Sequence, residues 1–240
     1  PDVDTFGQAS RDGAYLTFRM GEDVGIRDLV TGQTRPLTKR ANIYESSYMS
    51  VPSPDGKQVA YTWYSSENRY ELRVIGLDGA EPRSVHRNRE MRWLHPADWS
   101  PDGKSILAIF SDRKEGDQMV LVSVADGSLR VLKTARQGIP QRPRFSPDGR
   151  YIAYDFPQQP GAAERDIFLF ALDTGQEILL VQHPANDVAL DWTPDGRGLL
   201  FRSDRTGAMG AWLIAVSDGK PQGAPTLVKP DLGPRFRPLG

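Results

Sequence analysis

The sequence predicts an all-β molecule assembled from five tandem four-stranded units. Three observations carry this reading: a tight-turn motif that recurs at a near-constant interval, an apolar strand-like run after every copy, and a composition hostile to paired helices. The motif is Ser53-Pro54-Asp55-Gly56-Lys57. It returns as Ser100-Pro101-Asp102-Gly103-Lys104, Ser146-Pro147-Asp148-Gly149-Arg150 and Thr193-Pro194-Asp195-Gly196-Arg197, with a degenerate copy, Ser10-Arg11-Asp12-Gly13, at the start. The aspartates stand at 12, 55, 102, 148 and 195, a period of about 46 residues. Nineteen prolines and 23 glycines in 240 residues leave little room for helix pairs of similar period.

Each element follows from local chemistry. Proline presets φ for the second turn position, aspartate suits the third, and glycine accepts the left-handed conformation that closes the turn. A strand-like run comes next: Gln58-Val59-Ala60-Tyr61-Thr62-Trp63, Ser105-Ile106-Leu107-Ala108-Ile109-Phe110, Tyr151-Ile152-Ala153-Tyr154 and Gly198-Leu199-Leu200-Phe201. Polar loops such as Ser111 to Gly116 and Ser203 to Gly207 lead to a further strand at Leu72–Ile75, Met119–Val122, Ile167–Phe170 and Ala211–Ile214. A second turn recurs at Gly32, Gly79, Gly127, Gly175 and Gly219, followed by short outer strands such as Arg130-Val131-Leu132 and Ile178 to Val181. Short strands punctuated this often mean an all-β fold. One such sheet cannot bury both of its faces, whereas sheets stacked around an axis can, and the result is a β-propeller. Trp99, Phe145 and Trp192, each just before a turn, are then core residues between neighbouring blades. The blades fall at approximately 5–38, 45–85, 94–132, 141–181 and 188–228 of a single domain. Residues 234–240 read as the inner strand of a further or closing blade, so the five repeats either close on themselves or belong to a ring of six or seven.

Composition excludes several classes. With no cysteine there is no disulfide framework and no thiol nucleophile. A net charge of −1 argues against a dedicated nucleic-acid binder. No apolar run is long enough to span a bilayer. Gly-x-Ser-x-Gly, His-Glu-x-x-His, a phosphate-cradling loop and a dinucleotide fingerprint are all missing, so no catalytic role and no cofactor is expected. The turn aspartates are tempting as ligands for a metal, but turn chemistry accounts for them. His86, His95 and His183 match no metal-ligand spacing, so no metal site is expected either.

The loop that leads into each inner strand opens on one face of the expected ring, and these loops are rich in cations. They carry Lys39, Arg40, Arg87, Arg89, Arg92, Lys133, Arg136, Arg142, Arg144, Lys229, Arg235 and Arg237 against Glu45, Glu90, Asp98, Asp187, Asp191 and Asp231. A basic patch at the channel mouth is expected there, suited to carboxylates, phosphates or an acidic protein segment. Tyr44, Tyr48, Arg92, Trp93, His95, Asp98, Arg142, Arg144, Asp187, Asp191, Arg235 and Arg237 are the expected ligand contacts.

The repeat resembles that of the TolB and dipeptidyl-peptidase propellers, whose pattern runs W-S-P-D-G-K, an apolar strand, S-D-x-x-G, another apolar strand and D-x-x-T-G. Trp99 to Lys104, Ser111 to Gly116 and Leu172-Asp173-Thr174-Gly175 carry the likeness, which extends over essentially the whole chain. The first repeat departs most, lacking the proline. The resemblance implies a monomeric binding or sensing propeller with a protein or peptide partner, periplasmic or otherwise extracytoplasmic. A second implication is the substrate-gating propeller of a prolyl-oligopeptidase-like serine hydrolase whose catalytic domain lies outside this chain. Apart from the resemblance, a third reading is a small propeller enzyme acting on glycosides or lactones.

Overall fold

The computed structural model describes residues 7–67, 69–135, 138, 140–159 and 161–233. These form nineteen strands and no helix, in two compact units that divide between Thr134 and Ala135.

The first unit holds three sheets. One contains β1 (Tyr15–Met20), β2 (Asp23–Asp28) and β3 (Thr34–Pro36). The next contains β4 (Glu45–Pro52), β5 (Gln58–Ser65), β6 (Arg69–Gly76) and β7 (Arg83–Arg87). The third contains β8 (Met91–Trp99), β9 (Ser105–Asp112), β10 (Gly116–Ser123) and β11 (Leu129–Ala135), whose last residue lies at the boundary. The second unit holds two sheets: β12 (Gln141–Phe145), β13 (Tyr151–Pro157), β14 (Arg165–Ala171) and β15 (Glu177–Val181), then β16 (Val188–Trp192), β17 (Gly198–Ser203), β18 (Gly210–Ser217) and β19 (Lys220–Lys229). Every sheet is an up-and-down meander in chain order. The first is short of its innermost strand. There, residues 7–10 run beside β1, with Thr17 N–H donating to Gln8 O at 2.9 Å and one bridge between Ala9 and Leu16. Residues 5 and 6 of the expected first blade and the expected strand at 234–240 lie outside the described residues.

The five motif turns share one hydrogen-bond pattern. Ser100 Oγ donates to Asp102 Oδ1 (2.6 Å), that oxygen accepts Lys104 N–H (3.0 Å), and Ser100 Oγ accepts Ser105 N–H (2.9 Å). Gly103, at φ +71°, closes the turn by donating its N–H to Ser100 O at 2.9 Å. Serine or threonine and aspartate repeat this pairing at 2.6 Å in Ser53–Asp55, Ser146–Asp148, Thr193–Asp195 and the degenerate Ser10–Asp12. The serine hydroxyls, and then the backbone amides, hold the Asp55 and Asp102 carboxyls below the usual range, as does the Thr193 hydroxyl for Asp195. These aspartates therefore serve their turns.

The core lies between the sheets of each unit. Val51, Ala60, Leu72 and Val74 of one sheet meet Leu94, Trp99, Ile106 and Phe110 of the next. In the second unit Ala153, Ile167 and Leu169 meet Trp192, Leu199, Phe201 and Ile214. Trp99 is 2% exposed and donates its Nε1–H to Val51 O at 3.1 Å. Trp192 makes the equivalent bond to Arg144 O at 3.3 Å. The tryptophan before each of these two turns thus buries a large ring and closes a hydrogen bond to the preceding inner strand.

Candidate functional site

At the lead-in end of the first unit, the register of β4, β5 and β6 gathers aromatic side chains. Tyr48 pairs with Thr62, and Tyr64 with Tyr70 across the hairpin. Tyr70 lies edge-on to Tyr48 (centroids 6.4 Å) and tilted against Tyr64 (5.1 Å). From β8, His95 meets Tyr48 edge-on at 6.1 Å and stacks on Trp93 at 4.7 Å. Thr62 Oγ1 donates to Leu94 O (2.7 Å) and locks the two sheets together beneath the cluster. All five rings are partly buried. Burial holds the His95 imidazole down to about 4, so it is neutral near pH 7. Burial, and then the neighbouring Tyr70, pushes the Tyr48 phenol up. The cluster is an uncharged, amphipathic surface of rings with polar edges, a combination that dominates protein-recognition hot spots.

Around it lie charged residues from the loops at the same strand ends. Tyr44 is 65% exposed on the lead-in loop, and Arg92 is exposed at the start of β8. Ser66, Glu67, Arg89, Glu90 and Arg113 line a cleft of about 410 Å³ whose charges are of both signs.

In the second unit the corresponding strand ends carry buried charge. Asp155 on β13 is fully buried and accepts hydrogen bonds from Arg165 at Oδ2 and, at 2.9 Å, at its backbone oxygen. Burial pushes its carboxyl up to about 6 against the pull of Arg165. Arg142 and Arg144 lie on β12 and Arg202 on β17. Partial burial, and then repulsion from Arg144 and Arg202, holds the Arg142 guanidinium below its ordinary range. Asp187 is also fully buried, both oxygens accepting from Arg205 at 2.9 Å, and Arg205 in turn lies over the Phe201 and Trp212 rings.

The expected contacts therefore separate by environment. Tyr48, Trp93 and His95 are brought together, and Arg142 and Arg144 both lie on β12. Tyr44 and Arg92 stand exposed beside the aromatic cluster's strands. Asp187 is buried in an ion pair with Arg205, both of its oxygens accepting from that guanidinium. Asp98 and Asp191 sit at the opposite, turn-bearing ends of β8 and β16. There each Oδ1 accepts the N–H of the following tryptophan at 2.8 Å, and Asp98 faces Arg11 at 3.9 Å. Arg235 and Arg237 lie outside the described residues. His183 accepts Ala185 N–H at Nδ1, and His86 Nδ1 lies 2.9 Å from Gly127 O. Among the described residues no three metal-ligating side chains gather. Sequence reasoning missed Tyr64, Tyr70, Asp155, Arg165, Arg202 and Arg205. Counting along the β5–β6 hairpin would have found the tyrosines; the buried charges left no comparable signal.

Four-stranded antiparallel meanders packed face to face within each unit define a β-propeller domain. Residues 57–238 match the TolB beta propeller domain family, and the chain belongs to it. It is 27% identical to dipeptidyl-peptidase 5 of Porphyromonas gingivalis over 135 residues, 51% of this chain and 19% of that protein. It is 26% identical to a TolB homolog of Chlorobium luteolum over 175 residues, 71% of this chain and 37% of that protein. The crystal structure of TolB from Acinetobacter baumannii superposes with a TM-score of 0.67 at 18% identity, over 87% of this chain and 51% of that one. The chain thus spans well under half the length of these two curated relatives.

Proposed function

We propose that this domain is a non-catalytic binding propeller that engages an extended protein segment at the lead-in ends of its blades. The observation that carries the reading is the partly buried cluster of Tyr48, Tyr64, Tyr70, Trp93 and His95. Its rings offer apolar faces and hydrogen-bonding edges at low entropic cost, and the arginines and glutamates of the neighbouring loops supply a polar rim. Panning a random-peptide phage library on the immobilised chain tests it. Selected peptides should lose about tenfold or more in affinity on Trp93→Ala or Tyr48→Ala. Peptides that bind both variants as tightly as the unaltered chain would remove the site. TolB-type membership supports an extracytoplasmic location, which fractionation of host cells with a specific antibody checks.

The match to a dipeptidyl-peptidase supports a second reading, in which the domain gates peptides for a hydrolase domain. A coding sequence that continues past Gly240 into a Gly-x-Ser-x-Gly segment would favour it over the first.

A further inference from the structure

We propose that the row of rings formed by Tyr64, Tyr70, Tyr48, His95 and Trp93 docks a proline-rich segment of a partner protein in the polyproline II conformation. This rests on the binding reading above and names the composition and conformation of the segment.

Three observations converge. First, the rings form an unbroken row. Taken in that order, successive centroids lie 5.1, 6.4, 6.1 and 4.7 Å apart, and the row runs from the β5–β6 hairpin across β4 to β8. Polyproline II advances roughly 9 Å per turn, close to two of these spacings. Tyr48 meets Tyr70 at 87° and His95 at 73°, so the row is stepped, with angular slots that suit the edge of a pyrrolidine ring. Second, the polar edges of the row offer donors. Among the described residues the Trp93 indole N–H and the Tyr64 hydroxyl make no hydrogen bond, and neither is sealed in the core. Burial, and then Tyr70, keeps the Tyr48 phenol protonated. Exposed Arg92, next to Trp93, brings donors and no acceptor. A proline segment is the complement of such a surface: it lacks N–H groups and turns its carbonyls outward without internal partners. An ordinary extended segment brings N–H groups that would need acceptors as well. Third, the charges select against a charged segment. The row itself is uncharged. The cleft that adjoins it, with Glu67 at the tip of the β5–β6 hairpin and Arg89 and Glu90 just ahead of Trp93, presents both signs. A segment of either net charge meets repulsion there, whereas an uncharged one meets none. Because polyproline II is already formed in the unbound segment, little entropy is lost on docking.

The test is titration calorimetry of the full 240-residue chain with two end-capped nonapeptides, nonaproline and an alternating glycine–serine peptide. Nonaproline should bind, and the flexible peptide should bind about tenfold or more weaker. Raising the salt should leave the nonaproline affinity within about twofold, since no charge is shared. Trp93→Phe keeps a ring and removes the indole donor, and should weaken nonaproline about fivefold. Tyr64→Phe should act in the same direction, and Trp93→Ala should cost about tenfold or more. No heat from nonaproline at millimolar concentration, equal binding of the two peptides, or unchanged nonaproline affinity in both Trp93→Phe and Tyr64→Phe overturns the proposal. If Trp93→Ala weakens the phage-selected peptides while nonaproline does not bind, the proline assignment falls and the binding reading stands. If Trp93→Ala and Tyr48→Ala alter the affinity of neither the phage-selected peptides nor nonaproline, both fall.

Discussion

Arg205 shows how much one residue can hold. Its Nη2 donates to both oxygens of Asp187, which has no exposed surface, its Nε donates to Ser203 Oγ, and its planar face covers Phe201 and Trp212. Removing one partner of a buried pair strands the other charge. Arg205→Gln should therefore cost about 3–5 kcal/mol of stability in urea denaturation. Arg205→Lys should recover only part, since a point charge neither reaches Asp187 and Ser203 together nor stacks as well. Two other residues contribute to the acid limb with opposite signs. His95 has a folded value of about 4, below the unfolded value of about 6.5, so the unfolded chain binds more protons between them and stability is lost as pH falls through that window. Asp155 has a folded value of about 6, above its unfolded value of about 3.9, so the folded chain binds more protons and stability rises as pH falls through nearly the same window. His95→Gln removes only the first effect. Relative to the unaltered chain it should gain on the order of 2 kcal/mol between pH 7 and pH 4.5, read as the difference of the two denaturation curves. A difference that stays constant with pH would mean that His95 is not held neutral by burial.

At the scale of elements, the turns were legible and the bulges were not. A Ser-Pro-Asp-Gly turn is settled by four neighbouring residues, so reading it needs no knowledge of the rest of the chain. The degenerate Ser10–Asp12 copy makes the same bonds without the proline. The register shifts at Tyr48/Ser50 and Gln141/Arg144 depend on pairing with another strand, and no local residue announces them. Second-turn glycines show how context divides similar motifs. Gly79 (φ +85°) and Gly127 (φ +71°) both need left-handed backbone, but a Cβ at Gly79 meets nothing within 4 Å, whereas one at Gly127 would lie 2.0 Å from Val85 O. Gly79→Ala should cost about 1 kcal/mol for backbone strain alone. Gly127→Ala should cost about 2–4 kcal/mol, because the turn must also withdraw from β7. Equal urea midpoints for the two variants would contradict the packing of that turn on the second sheet.

For the whole molecule, stability should behave as a sum over neighbouring repeats. Trp99 ties β8 to β4, and Trp192 ties β16 to β12, through the same indole-to-carbonyl bond. Each Trp→Phe change keeps most of the buried ring and strands one carbonyl, at a cost of about 1–3 kcal/mol. The two bonds lie in different units and share no partner, so the double variant should add to within about 0.5 kcal/mol. A large coupling energy would show that the repeats are not held by nearest-neighbour contacts.

The amino-acid sequence by itself determined the repeat, its turns, its strands and the aromatic residues buried ahead of three of the turns. All of these rest on short-range chemistry, copied five times, so each copy checks the others. Only the tertiary structure decided which polar residues of the lead-in loops and inner strands are available. Asp187 and Arg142 look alike as charged loop residues, yet one is buried against Arg205 and the other is exposed on β12. Which of the two a residue becomes depends on strand register and on the face of the neighbouring sheet, and both are long-range properties that side-chain identity does not carry.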